Sequence, residues 1–113
     1  MLDPVLLASA LDRVLAATVA VESGCNQYAT STRGSIGLLQ ITPRTWRATY
    51  DFDHTYNLLN AGDNLRVGSM ILSGFIKQYG LVSGLRHYNG MGVGCDTCDA
   101  GYTEKITALA ARR

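Results

Sequence analysis

The chain has 113 residues, of which 47% are hydrophobic and 17% are charged, and its formal net charge is +1. This length suits one compact domain with a single hydrophobic core. A nearly neutral chain without a cluster of Lys and Arg is a poor candidate for nucleic-acid binding. The composition therefore favours a small globular domain whose function depends on a local site.

Targeting signals are not evident in the sequence. No segment approaches the roughly 20 consecutive apolar residues that a membrane helix needs. Residues 1–4 lack the positively charged start of a secretory signal, although residues 5–21 are fairly apolar. We expect a monomer without a membrane span, either as a mature domain or as a protein that reaches its substrate by another route.

The three cysteines leave several interpretations open. Cys95 and Cys98 form a C-x-x-C in a glycine-rich segment, and Cys25 stands apart from them. A zinc site usually needs four ligands, and only His54 and His87 could complete one. We therefore expect no metal and no cofactor. A disulfide within the loop or three reduced thiols is favoured, and the odd number leaves at least one thiol free or paired outside the chain.

The first predicted element is a long helix. Asp3 can act as its N-cap, Pro4 suits the first helical position, and Gly24 can end it. Apolar or small side chains then recur at helical spacing and predict a buried face, formed by Leu7, Leu11, Val14, Leu15 and Thr18.

Further helices follow a short irregular stretch at 26–41. Thr42-Pro43 predicts a short helix that carries Trp46, and residues 51–56 predict a polar loop. Asn60 or Asn64 can cap a long helix that Gly80 ends, with a buried face of Leu65, Gly68, Ile71, Leu72, Phe75, Ile76 and Tyr79. The remaining sequence predicts a helix over 81–89, a loop over 90–101 and a last helix from about 103 to 112. We therefore expect one mostly α domain that spans residues 1–113, with at most a small β element near 28–38.

Glu22 continues the apolar face of the first helix, because it lies 4, 7 and 11 residues after Thr18, Leu15 and Leu11. Burial of a carboxylate raises its pKa and keeps the group protonated, as a general acid for glycosidic cleavage requires. The same position also fits an ordinary glutamate that reaches water at the helix end. Glu104 and Asp12 lie beside basic neighbours on polar faces and are expected to be solvated.

Four motifs in order resemble the catalytic domain of the soluble lytic transglycosylases. Residues 22–26 are similar to the family pattern E-S-x-F/Y-N. Ser31 matches the serine that follows it, and residues 34–43 are similar to the next pattern, G-x-x-G-L-M-Q-x-x-P. Its N-I-x-x-G, A-x-x-Y-N-A-G and Y-V-x-x-V segments are similar to residues 64–68, 85–90 and 102–106. Together these motifs cover most of the chain from about residue 17 onward.

The resemblance implies a lysozyme-like helical domain with a sugar-binding groove and Glu22 as the catalytic residue. By position, Ser31, Gln40, Tyr88 and Asn89 match substrate-binding groove residues. Amide side chains can bond N-acetyl groups and hydroxyls, and a tyrosine offers a ring face to a sugar and a hydroxyl that can orient the acid.

Some of these residues also have simpler structural interpretations, and several positions differ from the family pattern. Residues 88–90 could form an ordinary helix end, and Trp46 is expected in the core rather than at a sugar subsite. Cys25 replaces the usual aromatic and Leu39 the usual methionine. Other differences affect subsite detail more than the chemistry: Thr42 replaces a methionine, Ile71-Leu72 replaces a Tyr-Leu pair, and the segment after Gly90 is altered.

The implied activity is cleavage of the β-1,4 bond between N-acetylmuramic acid and N-acetylglucosamine in peptidoglycan, with formation of a 1,6-anhydro sugar. A hydrolytic muramidase is the closest alternative, but hydrolysis usually needs a second carboxylate, which would come from Asp51, Asp53, Asp63, Asp96 or Asp99. A non-catalytic wall-binding module is a more distant reading. The enzyme would act on the bacterial cell wall. The chain would be a phage endolysin, a virion-associated enzyme or a domain of an exported protein.

Overall fold

The structure, a computed structural model, describes residues 4–90 and 101–111. Within these ranges the elements are the helices α1 (Pro4–Ser23), α2 (Pro43–Trp46), α3 (Ala61–Tyr79), α4 (Leu81–Asn89) and α5 (Tyr102–Ala110). The predicted mostly helical, lysozyme-like architecture is confirmed. The Asp3 cap, the Leu7 side chain, Cys95 and Cys98 lie outside the described part of the chain.

The predicted helix ends are largely confirmed. Gly24 follows α1 with a φ of 60°, in the left-handed region that glycine adopts readily. The cap of α3 is Asn60, whose side-chain oxygen accepts a 2.9 Å hydrogen bond from the Asp63 backbone N–H. Asn64, the other candidate cap, is instead fully buried within α3. The last helix begins one residue earlier and ends earlier than the predicted 103–112.

The small β element is reduced to two isolated antiparallel bridges, which pair Thr30 with Ile36 and Ile36 with Ile41. The second bridge extends past the predicted boundary at residue 38. Its two backbone hydrogen bonds, of 2.8 and 3.0 Å, close a tight loop over residues 36–41, which we call the 36–41 loop. This loop brings Gln40 and Ile41 to the position where the long helices meet.

Two buried clusters form the core on either side of α1. The first joins α1 with α3, α4 and α5 and consists of Val14, Ala17, Leu72, Leu85, Tyr102 and Ile106. The second joins α1 with the 36–41 loop and α3 and consists of Val19, Leu39, Ile41, Leu58, Val67 and Ile71. Leu15 and Tyr88 pack against both clusters, so the end of α1 that carries Glu22 is held from two directions.

Two predicted core residues are exposed instead. Leu11 is 37% exposed, because it lies at the rim of a shallow groove between α1 and α3. Tyr79 is 42% exposed at the last turn of α3, where its ring stacks on His87 at a centroid distance of 3.7 Å. None of the helices in the described ranges is both long and apolar enough to span a bilayer.

Candidate active site

A cleft of about 470 Å³ brings the predicted site residues together. They come from separate parts of the chain: the end of α1, the segment before the 36–41 loop, the loop itself and the end of α4. The five are Glu22, Ser31, Gln40, Tyr88 and Asn89, and all of them line the cleft. Trp46 also lines it, and it is half-buried in a T-shaped contact with the Phe75 ring, so it belongs to the cleft wall as well as to the core.

Glu22 lies in the last turn of α1, where the helix enters the cleft. Its side chain is half-buried, and its Oε2 accepts a 2.7 Å hydrogen bond from the Tyr102 hydroxyl. Burial raises the pKa of Glu22 above its ordinary value, and the hydrogen bond from Tyr102 opposes that shift in part. A carboxyl with a raised pKa in a cleft has the property that a general acid needs.

The two tyrosines beside Glu22 have different partners. The Tyr88 hydroxyl donates a 2.6 Å hydrogen bond to the Leu39 carbonyl and not to Glu22. Tyr102 from α5 makes that contact instead. Burial, and next the negative charge of Glu22, raise the pKa of both phenols, so both stay protonated donors. Tyr102 stands in the closing Y-V-x-x-V motif, which indicated its position but not its contact.

Gln40 has a strained backbone and a fixed side chain. Its φ is 50°, in a region that non-glycine residues seldom adopt. Its amide nitrogen donates to the carbonyls of Ala29 at 3.1 Å and Gly37 at 2.9 Å. Both amide hydrogens are therefore occupied by the backbone, which leaves the amide oxygen as the group that Gln40 can offer a ligand.

Ser31 begins a tight turn at the rim of the cleft. Its Oγ accepts a 3.0 Å hydrogen bond from the Ser35 backbone N–H, and its carbonyl accepts a 3.0 Å bond from the Gly34 N–H. The hydroxyl hydrogen is left to donate to a ligand. Asn89 is half-buried at the end of α4, followed by Gly90 with a left-handed φ of 76°. Asn89 is thus both a cleft residue and part of an ordinary helix end.

The arrangement agrees with a family match that covers most of the sequence. The model of the Transglycosylase SLT domain matches residues 8–99. The chain belongs to this family. Members are peptidoglycan lytic transglycosylases that act on the cell wall. No curated protein and no solved structure matches the chain.

The 36–41 loop of this SLT domain is held by Asn64 from α3. The Asn64 amide donates to the carbonyls of Ile36 at 2.8 Å and Leu58 at 2.9 Å, and its oxygen accepts from the Leu39 N–H at 2.8 Å. A Cβ on Gly37 would lie only 2.2 Å from the Asn64 amide nitrogen. Asn64, the first residue of the N-I-x-x-G motif, therefore has a structural role, because its hydrogen bonds fix the loop that carries Gln40.

The departures from the SLT pattern have different structural settings. Leu39 is fully buried and keeps an apolar contact with α3. Cys25 is exposed and has a φ of 65°, in a region that non-glycine residues seldom adopt. Ile71 is buried and also lines the cleft, where the family's Tyr would have added a hydroxyl.

Carboxylates other than Glu22 lie away from the cleft in the described part of the chain. Asp53 and Asp63 line a separate groove, and Asp51 is exposed and caps the turn at residues 51–55. Asp96 and Asp99 lie outside the described residues. No three His, Cys, Asp or Glu side chains in the described ranges cluster as metal ligands would.

Proposed function

We propose that this SLT domain cleaves the β-1,4 bond between N-acetylmuramic acid and N-acetylglucosamine by lytic transglycosylation, with Glu22 as the only acid and base. The observation that carries the proposal is the setting of Glu22. Its half-buried carboxyl lies in the cleft, its pKa is raised by burial, and Tyr102 holds one of its oxygens at 2.7 Å. Burial thus favours the protonated form with which the reaction starts.

The reaction uses the two protonation states of Glu22 in turn. The protonated carboxyl gives its proton to the bridging oxygen as the bond from that oxygen to the muramoyl anomeric carbon breaks and an oxocarbenium-like centre forms. The resulting carboxylate takes the proton of the muramoyl C6 hydroxyl, whose oxygen bonds to the anomeric carbon. Glu22 is protonated again at the end, and the product is a 1,6-anhydro-muropeptide formed without water.

Tyr102 has a supporting part in this scheme. The hydroxyl hydrogen bond to Oε2 fixes the orientation of the carboxyl and stabilises the carboxylate that forms after the first proton transfer. The second oxygen of Glu22 can then face the substrate. Tyr102 is a positioning residue, because it acts through Glu22.

The other cleft residues bind the glycan strand in this proposal. The Gln40 amide oxygen accepts from an N-acetyl N–H or a hydroxyl, because the backbone already takes both of its amide hydrogens. Ser31 and Asn89 offer further polar groups along the cleft. Tyr88 lines the cleft with a ring whose hydroxyl is fixed to the Leu39 carbonyl.

Hydrolysis by a muramidase is the second candidate. An inverting or retaining hydrolase uses a second carboxylate about 5–10 Å from the acid. Among the described residues, Glu22 is the single carboxylate that lines the cleft, which favours the transglycosylase. In either case the substrate is cell-wall peptidoglycan, and the chain would act as one catalytic domain, delivered by a phage or exported by a bacterium.

Mass spectrometry of the soluble products from purified peptidoglycan tests the proposal. The wild type should release anhydro-muropeptides, Glu22→Gln should release none, and Glu104→Gln should match the wild type because Glu104 is exposed on α5. Reducing-end muropeptides would contradict the lyase and indicate a hydrolase with a second carboxylate. If the wild type binds the wall but releases nothing, the chain is a wall-binding module.

A further inference from the structure

Two arginines line the same cleft as Glu22. Arg33 and Arg44 are both exposed, and both contribute to the cleft wall. They come from the two segments that flank the 36–41 loop, one before it and one after it. The family motifs leave both positions unspecified, so the resemblance assigns these side chains no role.

The fold holds these two flanking segments side by side. The backbone pair between Ile36 and Ile41 closes the base of the loop through bonds of 2.8 and 3.0 Å. One residue further out on each side, the hydroxyls of Ser35 and Thr42 lie 2.8 Å apart and share a hydrogen bond. Arg33 lies two residues before Ser35, and Arg44 lies two residues after Thr42. The hydrogen bond between Ser35 and Thr42 therefore places both arginines on one rim of the cleft.

Neither guanidinium is neutralised within the described part of the chain. The ion pair found there joins His54 to Asp51, away from the cleft, and neither Arg33 nor Arg44 makes a side-chain hydrogen bond to a described residue. The carboxylate that shares the cleft with them, Glu22, is bonded to Tyr102. Within the described part of the chain, the cleft therefore has two unpaired cations on its rim, although the formal net charge of the chain is only +1.

Unpaired guanidinium groups at the rim of a cleft are suited to bind carboxylates, because the planar fork matches the two carboxylate oxygens. The glycan proposed above carries such groups. Every muramoyl residue bears a lactyl arm, which ends either in a peptide with free carboxylates or in the lactyl carboxylate itself.

We propose that Arg33 and Arg44 form a carboxylate-binding subsite that holds the acidic group on the muramoyl lactyl arm. The subsite would allow the domain to distinguish peptidoglycan from uncharged β-1,4-linked N-acetylglucosamine polymers, whose backbone sugars are otherwise similar. This inference rests on the proposed function for the identity of the glycan, but the charge recognition itself can be tested without cleavage.

The test measures the dissociation constant of soluble peptidoglycan strands in the Glu22→Gln background, where the strands stay intact. One sample carries Arg33→Ala and Arg44→Ala. Its matched control carries Arg47→Ala and Arg66→Ala, which remove the same charge from exposed positions that do not line the cleft. Each protein is measured with native strands, and with the same strands after carbodiimide coupling to ammonia has converted their carboxylates to amides.

We expect the cleft variant to bind native strands about 3- to 10-fold more weakly than the control, as the loss of two exposed ion pairs implies. On the amidated strands the two proteins should bind equally. Salt should weaken the native binding of the control more than that of the cleft variant. Lys at both positions should restore part of the affinity.

Two results would overturn the subsite: an equal loss of affinity on native and amidated strands, or the same loss in the control variant. Strands stripped of peptide by an amidase identify the source of the carboxylate. Continued dependence on the arginines shows that a free lactyl carboxylate is sufficient for recognition, and its disappearance shows that the peptide carboxylates are required. Failure of the proposed function is distinguishable, because the wild type would then release no anhydro-muropeptide while the arginine dependence of binding persists.

Discussion

Glu22 is placed where its burial favours one protonation state and penalises the other. Its pKa in the folded chain is raised above the ordinary value of 4.5 by desolvation. The folded state therefore holds this proton more tightly than the unfolded state does. The stabilising contribution is fully present below the unfolded pKa and is lost as the pH rises through the folded pKa.

Glu22→Gln should consequently raise the melting temperature by a few degrees at about pH 8, because the neutral amide avoids burial of a charge. The Gln oxygen can still accept from the Tyr102 hydroxyl. The advantage should shrink as the pH falls toward 4.5, where the wild-type carboxyl is protonated in the folded state. Calorimetry across this range measures it. Exposed Glu104→Gln is the control, and an equal effect of both variants would refute the penalty at Glu22.

Tyr102→Phe should alter the pH profile of cleavage. The Tyr102 hydrogen bond lowers the pKa of Glu22, so its loss should move the alkaline limb of kcat/KM to higher pH. Weaker positioning of the carboxyl should also reduce kcat by roughly 10-fold. Tyr88→Phe is the matched control, because its hydroxyl bonds the Leu39 carbonyl and not Glu22. If both variants gave the same shift, the assigned role of Tyr102 would be wrong.

At the scale of elements, the position of the 36–41 loop depends on how closely its backbone approaches α3. Leu39 packs directly over Gly68, where an added Cβ would lie 2.2 Å from the Leu39 Cδ1. Gly74, on the same helix, has no atom within 4 Å of an added Cβ. Gly68 therefore makes space for the 36–41 loop, and Gly74 does not.

Gly68→Ala should destabilise the chain by about 1–3 kcal/mol, since the clash outweighs the better helix propensity of alanine. Gly74→Ala should stabilise it by about 0.5–1 kcal/mol, since only the propensity term acts there. Urea unfolding gives both values. The Gly68 variant should also lose activity, because displacement of Leu39 moves the adjacent Gln40 in the cleft. A stabilising Gly68→Ala would show that the loop can adjust without cost.

The elements themselves could be predicted because they depend on local sequence. Proline at the start and glycine after the end marked α1, an Asn cap marked the start of α3, and glycines after their ends marked α3 and α4. The exposure of Leu11 could not be predicted, because periodicity shows that a face is apolar but not how far the neighbouring helix extends over it. Local signals therefore predict the helices better than they predict how the helices pack.

For the candidate site too, some features could be predicted from the sequence and others depend on how the helices pack. The resemblance to the lytic transglycosylases implied that Glu22, Ser31, Gln40, Tyr88 and Asn89 share a groove, and all five line the cleft. The partner of the acid could not be predicted this way, because Tyr102 lies 80 residues from Glu22 and the contact depends on the packing of α5 against α1. Asn64 was an equal candidate for a helix cap until its buried contacts across the 36–41 loop were known.

At the scale of the whole molecule, α5 completes both the core and the site although the family match ends at residue 99. Ile106 is fully buried, and Tyr102 is 7% exposed in the same cluster. This cluster also holds Val14 and Ala17 of α1, the helix that ends at Glu22. The packing of α5 therefore stabilises the chain and positions the acid at once, and damage to its core face should affect both.

Ile106→Ala should lower the free energy of unfolding by about 2–5 kcal/mol, because it leaves a cavity at a fully buried position. The loosened helix should also hold Tyr102 less firmly against Glu22, so cleavage should fall even under conditions where the variant is folded. Lys105→Ala, at the exposed neighbouring position, should change neither property by more than about 0.5 kcal/mol. Denaturant unfolding and product release on the same samples measure both effects. Normal stability in Ile106→Ala would mean that α5 is not part of the cooperative core, and a chain ending at residue 100 should then still fold.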